Sequence, residues 1–200
     1  IYFKMEIKAL FLDFDGVFTD NKVLTDSNGK EALLSSKFDS LAIKEFRDNY
    51  KDFPIFVITS EENKSVLRRC KKLKLDVFTA KYQKVKVIKD ICEKYNIKME
   101  DIAFCGNDLN DLEALKLSGL SIAVRDAAEE VRSISRFVTR NKGGDGAVRE
   151  ILFFLMDNKF KFNEFNLVSF PLPKDMGHRE WGYEKLLVHV KGKYTMKKLV

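Results

Sequence analysis

Two aspartates separated by one residue are the feature of this sequence that most strongly suggests chemistry. Asp13 and Asp15 lie in the segment FLDFDGVFTD, residues 11–20, at the end of an apolar run. If residues 7–12 form a buried strand, both carboxylates lie at its carboxyl end, where open α/β sheets hold their ligands. Gly16 allows a sharp turn there, so the two carboxylates can converge on a cation or a phosphoryl group.

Further polar residues follow two later apolar segments. Thr59 and Ser60 come after residues 55–58, and the segment GNDLND, residues 106–111, comes after residues 102–105. Because the carboxyl ends of parallel strands meet at one edge of a sheet, we expect these side chains to gather near the first two aspartates. The set expected at this edge comprises Asp13, Asp15, Thr59, Ser60, Asn107, Asp108 and Asp111.

Such a set is suited to hydrolysis of a phosphate monoester. This reaction needs an oxygen nucleophile, a proton for the leaving alkoxide and positive charge against the phosphoryl oxygens. One carboxylate can attack and form an acyl phosphate, while a second protonates the leaving group and later activates water, and Asp13 and Asp15 fit these roles. Asp108 offers another ligand for Mg²⁺, which suits oxygen ligation. Lys84 is the best-placed cation for the phosphate, and Lys86 is a weaker candidate.

Each of these motifs also has a simpler interpretation. The aspartate pair could be a solvated turn or a calcium loop, but an EF-hand would need oxygen ligands where the chain has Val17 and Leu24. The segment 106–108 alone would be an ordinary turn, although its place after a predicted strand favours a metal site. Thr59 and Ser60 could equally cap the helix that follows them.

Strands and helices alternate along the chain, which predicts a parallel sheet with right-handed crossovers and helices on both faces. The turn signal at residues 26–29 predicts a hairpin of strands 22–25 and 32–38. Asp39 or Ser40 can cap the helix that follows. That helix is expected to end at residue 46, and a second helix, after strand 55–58, is expected to end at residue 72. The other expected strands are 77–78, 102–105, 120–124 and 137–138. The other expected helices are 85–95, 110–117, one after residue 126, and 147–156.

The length and composition suit one globular domain of ordinary size with some additional residues, since 45% of the 200 residues are hydrophobic and 33% are charged. The formal charge is +6, which we interpret as solvated helix faces and attraction for anionic metabolites, because no nucleic-acid-binding motif accompanies it. The three cysteines form no CxxC pair, which favours a reducing cytoplasm over a disulfide framework or zinc site. No apolar run approaches the roughly 20 residues of a membrane helix, and no signal peptide is recognisable.

These residues together resemble the haloacid dehalogenase superfamily of phosphotransferases. DFDGVFTD resembles its first motif, Thr59-Ser60 its second, Lys84 its third and GNDLND its fourth. The closer likeness is to the capless branch that contains 3-deoxy-D-manno-octulosonate 8-phosphate phosphatase, and to the phosphatase-like domain of N-acylneuraminate cytidylyltransferases. It rests on the hairpin and on three segments, which are DSLAIKEF at 39–46, GLSIAVRDA at 119–127 and GGDGAVRE at 143–150.

The resemblance implies an α/β fold with a Rossmann-like three-layer α/β/α parallel sheet, a β-hairpin insertion after the first strand and no large cap. It implies that Asp13 is the nucleophile, that Asp15 is the acid/base, and that Mg²⁺ is held by Asp13, the backbone carbonyl of Asp15, and Asp108. The implied phosphate-binding residues are Thr59, Ser60 and Lys84, and the implied supports of the metal are Asn107 and Asp111.

The implied substrate is a small anionic sugar phosphate, such as 3-deoxy-D-manno-octulosonate 8-phosphate or an acylneuraminate 9-phosphate. These compounds belong to lipopolysaccharide and sialic acid biosynthesis. The branch also implies a cytoplasmic homotetramer in which the hairpins pack together and a neighbouring subunit closes the site. Neither nucleic acid nor a membrane is expected as a partner.

Two departures from the family's pattern concern the substrate. Relatives usually have Thr-Gly-Arg where this chain has Thr59-Ser60-Glu61, and Gly-Gly-Arg-Gly-Ala where it has Asp145 in place of the arginine. Because an aspartate cannot clamp an anion in a bidentate manner, we expect the substrate's carboxylate or phosphate to be held differently.

Two alternative functions follow from these observations. One is an oligomerisation domain with reduced catalytic activity in a sugar-acid cytidylyltransferase system, which the retained charged residues of the motifs disfavour. The other is carbon–halogen hydrolysis, which Asp15 disfavours because a halide leaves without a proton.

Residues 5–157 are expected to form the phosphatase-like domain, and residues 158–200 a linker with a C-terminal tail or a truncated second domain. Phe170-Pro171-Leu172-Pro173 is typical of a linker. The segment HREWGYEKLL, residues 178–187, resembles the opening of cupin-type sugar-phosphate isomerase domains, but the histidines of a cupin metal site are absent.

Overall fold

A parallel sheet of six strands forms the centre of the molecule. The structure is a computed structural model, and it describes residues 4–163. All neighbouring strands of this sheet pair in parallel. Their spatial order is β6 (Asp76–Thr79), β5 (Ile55–Thr59), β2 (Ala9–Leu12), β7 (Ile102–Gly106), β8 (Leu120–Ala123) and β9 (Phe137–Val138).

Helices flank this sheet, and the predicted α/β class is confirmed. The α-helices within the described residues are α1 (Lys37–Asn49), α2 (Lys64–Leu73), α3 (Lys84–Lys94), α4 (Leu112–Leu117), α5 (Glu129–Ile134) and α6 (Ala147–Asp157). Helix α1 packs against α6, while α4 packs against both α3 and α5. Short 3-10 helices precede β7 at Met99–Asp101 and α4 at Leu109–Asp111.

The central strands are apolar along their whole length because helices cover both faces of the sheet. Every residue of β2, β5, β7 and β8 is buried. This continuous burial is what a parallel strand covered on both sides requires. At the centre, the rings of Phe11 and Phe56 lie 4.9 Å apart between their centroids. A rigid, buried framework therefore ends where the polar motifs begin.

The predicted hairpin is present but shorter than expected. Its strands are β3 (Leu24–Thr25) and β4 (Glu31–Ala32), rather than 22–25 and 32–38. The turn is closed by the Asp26 carboxylate, whose Oδ1 accepts from the backbone N–H groups of Asn28 at 2.9 Å and Lys30 at 2.8 Å.

The second predicted strand ends early because helix α1 begins inside it. Ser36 caps this helix, and its hydroxyl accepts from the backbone N–H of Phe38 at 3.1 Å. The prediction that Asp39 or Ser40 is the cap was therefore wrong, since both lie within the first turns. Asp39 instead caps a distant helix, because its Oδ1 accepts from the backbone N–H of Arg149, in the first turn of α6, at 2.9 Å.

The packed unit extends beyond the predicted boundary at residue 157. Strand β10 (Lys161–Asn163) pairs antiparallel with β1 (Lys4–Glu6). The ring of Phe160 stacks on that of Phe53 at 4.6 Å, and Phe162 is buried. The polar residues around 158 thus form a turn, whereas the sequence suggested that a linker begins there. The predicted linker at 170–173 and the cupin-like segment at 178–187 lie outside the described residues.

Candidate active site

A buried lysine lies between two buried carboxylates at the carboxyl edge of the sheet. The Nζ of Lys84 is 2.7 Å from Oδ2 of Asp13 and 2.6 Å from Oδ1 of Asp111. The three residues are 4%, 5% and 0% exposed, respectively. Because an unpaired buried charge is strongly destabilising, each of these groups depends on the others. The structure therefore brings together three of the predicted site residues, whereas Lys86 is exposed.

Asp13 is positioned by the pairing of its strand with β7 and by the backbone that follows it. Its backbone N–H continues the pairing of β2 with β7 by donating to the carbonyl of Cys105 at 2.9 Å. Its Oδ1 accepts from the backbone N–H of Phe14 at 2.7 Å. The chain then turns at Gly16, which has a φ of 80°. A Cβ on this glycine would lie 1.9 Å from Nδ2 of Asn107, so both the turn and the close approach of Asn107 require glycine.

The GNDLND segment forms a tight loop whose carboxylates bind its own backbone. Oδ2 of Asp111 accepts from the backbone N–H of Asn107 at 2.9 Å, and Oδ1 of Asp108 accepts from that of Leu109 at 2.8 Å. Asn107 and Asp111 are buried, whereas Asp108 is exposed. Asp108 is thus open to a ligand, and Asp111 is held by Lys84 and the loop.

The loop after β5 does not serve as a helix cap. Asn63 caps α2 instead, since its Oδ1 accepts from the backbone N–H of Ser65 at 2.8 Å. Thr59 is fully buried, and its Oγ1 accepts from the backbone N–H of Glu61 at 3.2 Å. Ser60 is half-buried. Because β5 lies next to β2 in the sheet, both hydroxyls lie on the same edge as Asp13.

The loop after β9 packs on the loop that carries the two aspartates. The backbone N–H of Gly144 donates to the carbonyl of Val17 at 3.0 Å, and a Cβ on Gly143 would lie 1.8 Å from the carbonyl oxygen of Gly16. Asp126, which sequence reasoning missed, accepts from the backbone N–H of Gly143 at 2.9 Å. The exposed Asp145 belongs to this same loop.

The electrostatics of the cluster follow from its burial. Burial, and then the charge of Asp111, raises the pKa of Asp13 to about 8, against the opposing effect of Lys84. Burial lowers the pKa of Lys84, but its two carboxylate partners outweigh that effect and the net pKa is raised, so the amine stays charged. Burial, and then the charge of Glu61, raises the pKa of Asp15.

The donor atoms at this edge fit a hard divalent cation. Within residues 4–163, no three His, Cys, Asp or Glu side chains are grouped to hold a metal. The predicted set needs only two side chains, those of Asp13 and Asp108, because the third ligand is the backbone carbonyl of Asp15. Four carboxylates, those of Asp13, Asp15, Asp108 and Asp111, lie in the loops at this edge, where Lys84 supplies one buried ammonium group. A cation with oxygen ligands would offset that excess of negative charge.

The comparisons with known proteins agree with this geometry. A model of the haloacid dehalogenase-like hydrolases matches residues 3–151, and the chain belongs to this family. Among curated proteins, the chain is 33% identical over 159 residues to the 3-deoxy-D-manno-octulosonate 8-phosphate phosphatase KdsC of Escherichia coli strain K12. That match covers 79% of this chain and 84% of the relative.

Solved structures of the same branch have the same fold. One is the 3-deoxy-D-manno-octulosonate 8-phosphate phosphatase of Moraxella catarrhalis in complex with magnesium, phosphate and KDO. It has a TM-score of 0.71 and 28% identity, covering 77% of this chain and 87% of that one. Another is the cobalt-bound deoxy-D-mannose-octulosonate 8-phosphate phosphatase of Haemophilus influenzae. Its TM-score is 0.70 at 30% identity, with 78% of this chain and 89% of that one covered.

These matches confirm the predicted family, fold, phosphatase class and Mg²⁺ cofactor. The site residues, the homotetramer and the cytoplasmic location stay predictions, and none of the relatives reported above supports the sialic acid or cytidylyltransferase options. In the part of the chain that the structure describes, no helix has the length and apolar character needed to cross a membrane.

Proposed function

We propose that this chain is a Mg²⁺-dependent phosphatase of 3-deoxy-D-manno-octulosonate 8-phosphate that works through an aspartyl phosphate. The observation that carries the proposal is the Lys84 ammonium group, held 2.7 Å from Asp13 at the carboxyl edge of the sheet. The names of the relatives support the choice of substrate. The retained, buried charge cluster favours an active enzyme over an oligomerisation domain with reduced activity.

Asp13 is the nucleophile in this proposal. A cation bound by Asp13, Asp108 and the backbone carbonyl of Asp15 would supply positive charge that draws the phosphate toward these carboxylates and keeps Asp13 ionised. A carboxylate oxygen of Asp13 attacks phosphorus while the bond from phosphorus to the sugar oxygen breaks. Lys84 balances the negative charge on Asp13 and the transferring group.

Asp15 supplies and then removes the proton that the two steps need. Its raised pKa keeps more of the carboxyl protonated, so it can give a proton to the leaving alkoxide in the first step. In the second step, the Asp15 carboxylate takes a proton from a water molecule, which attacks phosphorus. This attack releases inorganic phosphate and restores the carboxylate of Asp13.

The test is Mg²⁺-dependent phosphate release from a panel of sugar phosphates. The panel should contain 3-deoxy-D-manno-octulosonate 8-phosphate, an acylneuraminate 9-phosphate and an uncharged sugar phosphate. We expect the octulosonate ester to give the highest kcat/KM, and Asp13→Asn to lose at least about 10³-fold in kcat. Absence of release by the wild type, or equal rates for the variant, would contradict the proposed reaction. A higher kcat/KM for another ester would contradict the proposed substrate.

We also propose that the chain assembles as a homotetramer through its hairpin. Five large apolar side chains around the hairpin and the start of α1 are exposed, and this concentration of exposed apolar side chains in one stretch of the chain favours an interaction surface. They are Val23, Leu24, Leu34, Phe38 and Leu41. Sedimentation velocity should give the mass of four chains for the wild type and a smaller species for Leu34→Asp. A monomeric wild type would contradict the assembly.

A further inference from the structure

One hydrogen bond joins two loops of the site and has no part in the mechanism proposed above. The side-chain Nδ2 of Asn110 donates to Oγ of Ser60 at 3.2 Å. Ser60 directly follows β5, and Asn110 lies in the turn after β7. Because β5 and β7 flank β2, the bond connects the loops on either side of Asp13.

This bond restricts the directions in which the Ser60 hydroxyl can donate. A hydroxyl has one proton to donate and two lone pairs that accept. Since Asn110 uses a lone pair of Ser60, the hydroxyl proton must point elsewhere. Among the residues that the structure describes, no group accepts that proton. The hydroxyl therefore retains its donor capacity, and its orientation is restricted.

The two adjacent hydroxyls of this loop differ in what they can reach. Thr59 and Ser60 each accept one hydrogen bond, but Thr59, whose Oγ1 accepts from the backbone N–H of Glu61, is fully buried, so burial separates it from a ligand. Ser60 is half-buried and lies at the first position of the loop after β5. The accessible hydroxyl at the end of β5 is therefore that of Ser60.

We propose that Asn110 is a positioning residue for the Ser60 hydroxyl, which donates its proton to a phosphoryl oxygen of the substrate. This inference rests on the proposed phosphatase function. Donation by the Asn110 amide also polarises the hydroxyl and strengthens it as a donor. The neighbouring Asp111 contacts Lys84, so the loop that positions Ser60 is anchored to the charge cluster.

The experiment is a double-mutant cycle on phosphate affinity. Inorganic phosphate is titrated by calorimetry in the presence of Mg²⁺ into the wild type, Ser60→Ala, Asn110→Ala and the double variant. Ser60→Thr, which keeps the hydroxyl, serves as the conservative variant. The matched control is Asn49→Ala, because Asn49 is an exposed asparagine in α1 whose amide donates to the carbonyl of Glu45, within its own helix and away from the site loops.

We expect Ser60→Ala to weaken phosphate binding by about 5- to 20-fold and Asn110→Ala by about 3- to 5-fold. In the Ser60→Ala background, Asn110→Ala should have no further effect, since the group it orients is gone. Ser60→Thr should keep both the affinity and its dependence on Asn110. Thermal unfolding midpoints of all variants should stay close to that of the wild type, as should the affinity of Asn49→Ala.

Two results would overturn the inference. One is equal weakening by Asn110→Ala in the presence and absence of the Ser60 hydroxyl, and the other is unchanged phosphate affinity in Asn110→Ala. Phosphate release by the wild type separates this inference from the proposed function. An inactive wild type contradicts the function, whereas an active wild type with uncoupled variants contradicts only the role of Asn110.

Discussion

Lys84 is the residue on which the charge balance of the site depends. Its ammonium group is the counterion of Asp13 and Asp111, and all three groups are buried. The sequence could place Lys84 near the site because it begins a helix after β6 and a phosphate site needs a cation. It could not show that Asp111 shares this lysine, since that contact depends on how two distant loops are placed.

Replacement of Lys84 should destabilise the fold as well as abolish activity. Lys84→Met leaves two buried carboxylates without a counterion, which costs about 3 to 5 kcal/mol of the free energy of unfolding. The matched control is Lys86→Met, because Lys86 lies in the same helix but is exposed, and surface changes usually stay within about 0.5 kcal/mol. Urea unfolding of both variants makes the comparison. Equal stability of the two would mean that the pairing with Asp13 and Asp111 does not stabilise the fold.

Asp39 should make stability depend on pH. Its Oδ1 accepts from the backbone N–H of Arg149, whereas its Oδ2 is buried without a hydrogen-bond partner within residues 4–163. Burial raises its pKa from 3.8 to about 6. The folded chain therefore binds a proton that the unfolded chain lacks between these pH values, so this contribution to stability is lost as the pH rises through about 6.

The variant Asp39→Asn removes that proton while keeping the cap on α6. The wild type should lose up to about 3 kcal/mol relative to this variant between pH 4 and about pH 7. Asp48→Asn, at an exposed position of the same helix, should leave the pH dependence as in the wild type. Unfolding free energies across this pH range provide the measurement. Parallel curves for the wild type and Asp39→Asn would refute the assignment.

At the scale of elements, the positions of the central strands could be predicted because parallel strands that are covered on both faces have continuous apolar sequences. The start of α1 could not, because Ser36 competes successfully with the two later polar residues for the capping position. Strand β10 was missed because its partner β1 lies at the other end of the described chain, and its polar sequence resembles a linker. The hydrogen bond between Asn110 and Ser60 likewise depends on loop placement.

The contact between the loop after β9 and the aspartate loop should be essential for catalysis. In Gly143→Ala, the new Cβ would lie 1.8 Å from the carbonyl oxygen of Gly16, so the backbone that carries Asp13 and Asp15 must shift. A displacement on the order of 1 Å at reacting groups can cost about 10²-fold in rate, and we expect a loss of kcat/KM of at least about tenfold. Steady-state kinetics gives the measurement.

Gly29→Ala provides the control for this substitution. Gly29 has a φ of 74°, so an alanine is strained there, but nothing lies within 4 Å of its Cβ position. We expect Gly29→Ala to lower stability slightly, by about 1 kcal/mol, and to leave kcat/KM within about twofold. If Gly143→Ala were as active as Gly29→Ala, the loop contact would have no role in holding the aspartates.

For the whole molecule, the fold and the reaction class could be predicted because four motifs fall at the carboxyl ends of successive strands. The substrate could not be derived in the same way. Glu61 and Asp145 are exposed at the edge of the site, and their side chains show how this edge differs from the family's pattern rather than what it binds. The carboxylates of the site are therefore the better guide to ligand binding, since they require a cation.

Mg²⁺ should stabilise the whole domain through this site. A ligand that binds only the folded state raises the free energy of unfolding by about 2.7 kcal/mol at a hundredfold excess over its Kd. We expect Mg²⁺ to raise the thermal unfolding midpoint of the wild type relative to EDTA, and to have little effect on Asp108→Asn. An equal rise in both proteins would show that Asp108 does not bind the cation.

The most direct test of the central claim is to trap the phosphoryl group on Asp13. The leaving group of p-nitrophenyl phosphate needs no proton, so Asp15→Asn should form the aspartyl phosphate and hydrolyse it slowly. Acid quenching followed by peptide mass spectrometry should then show one phosphoryl group on Asp13. No such adduct should form in the double variant that carries both Asp15→Asn and Asp13→Asn. A phosphoryl group on another residue, or turnover by Asp13→Asn at the wild-type rate, would contradict the assignment of Asp13 as the nucleophile.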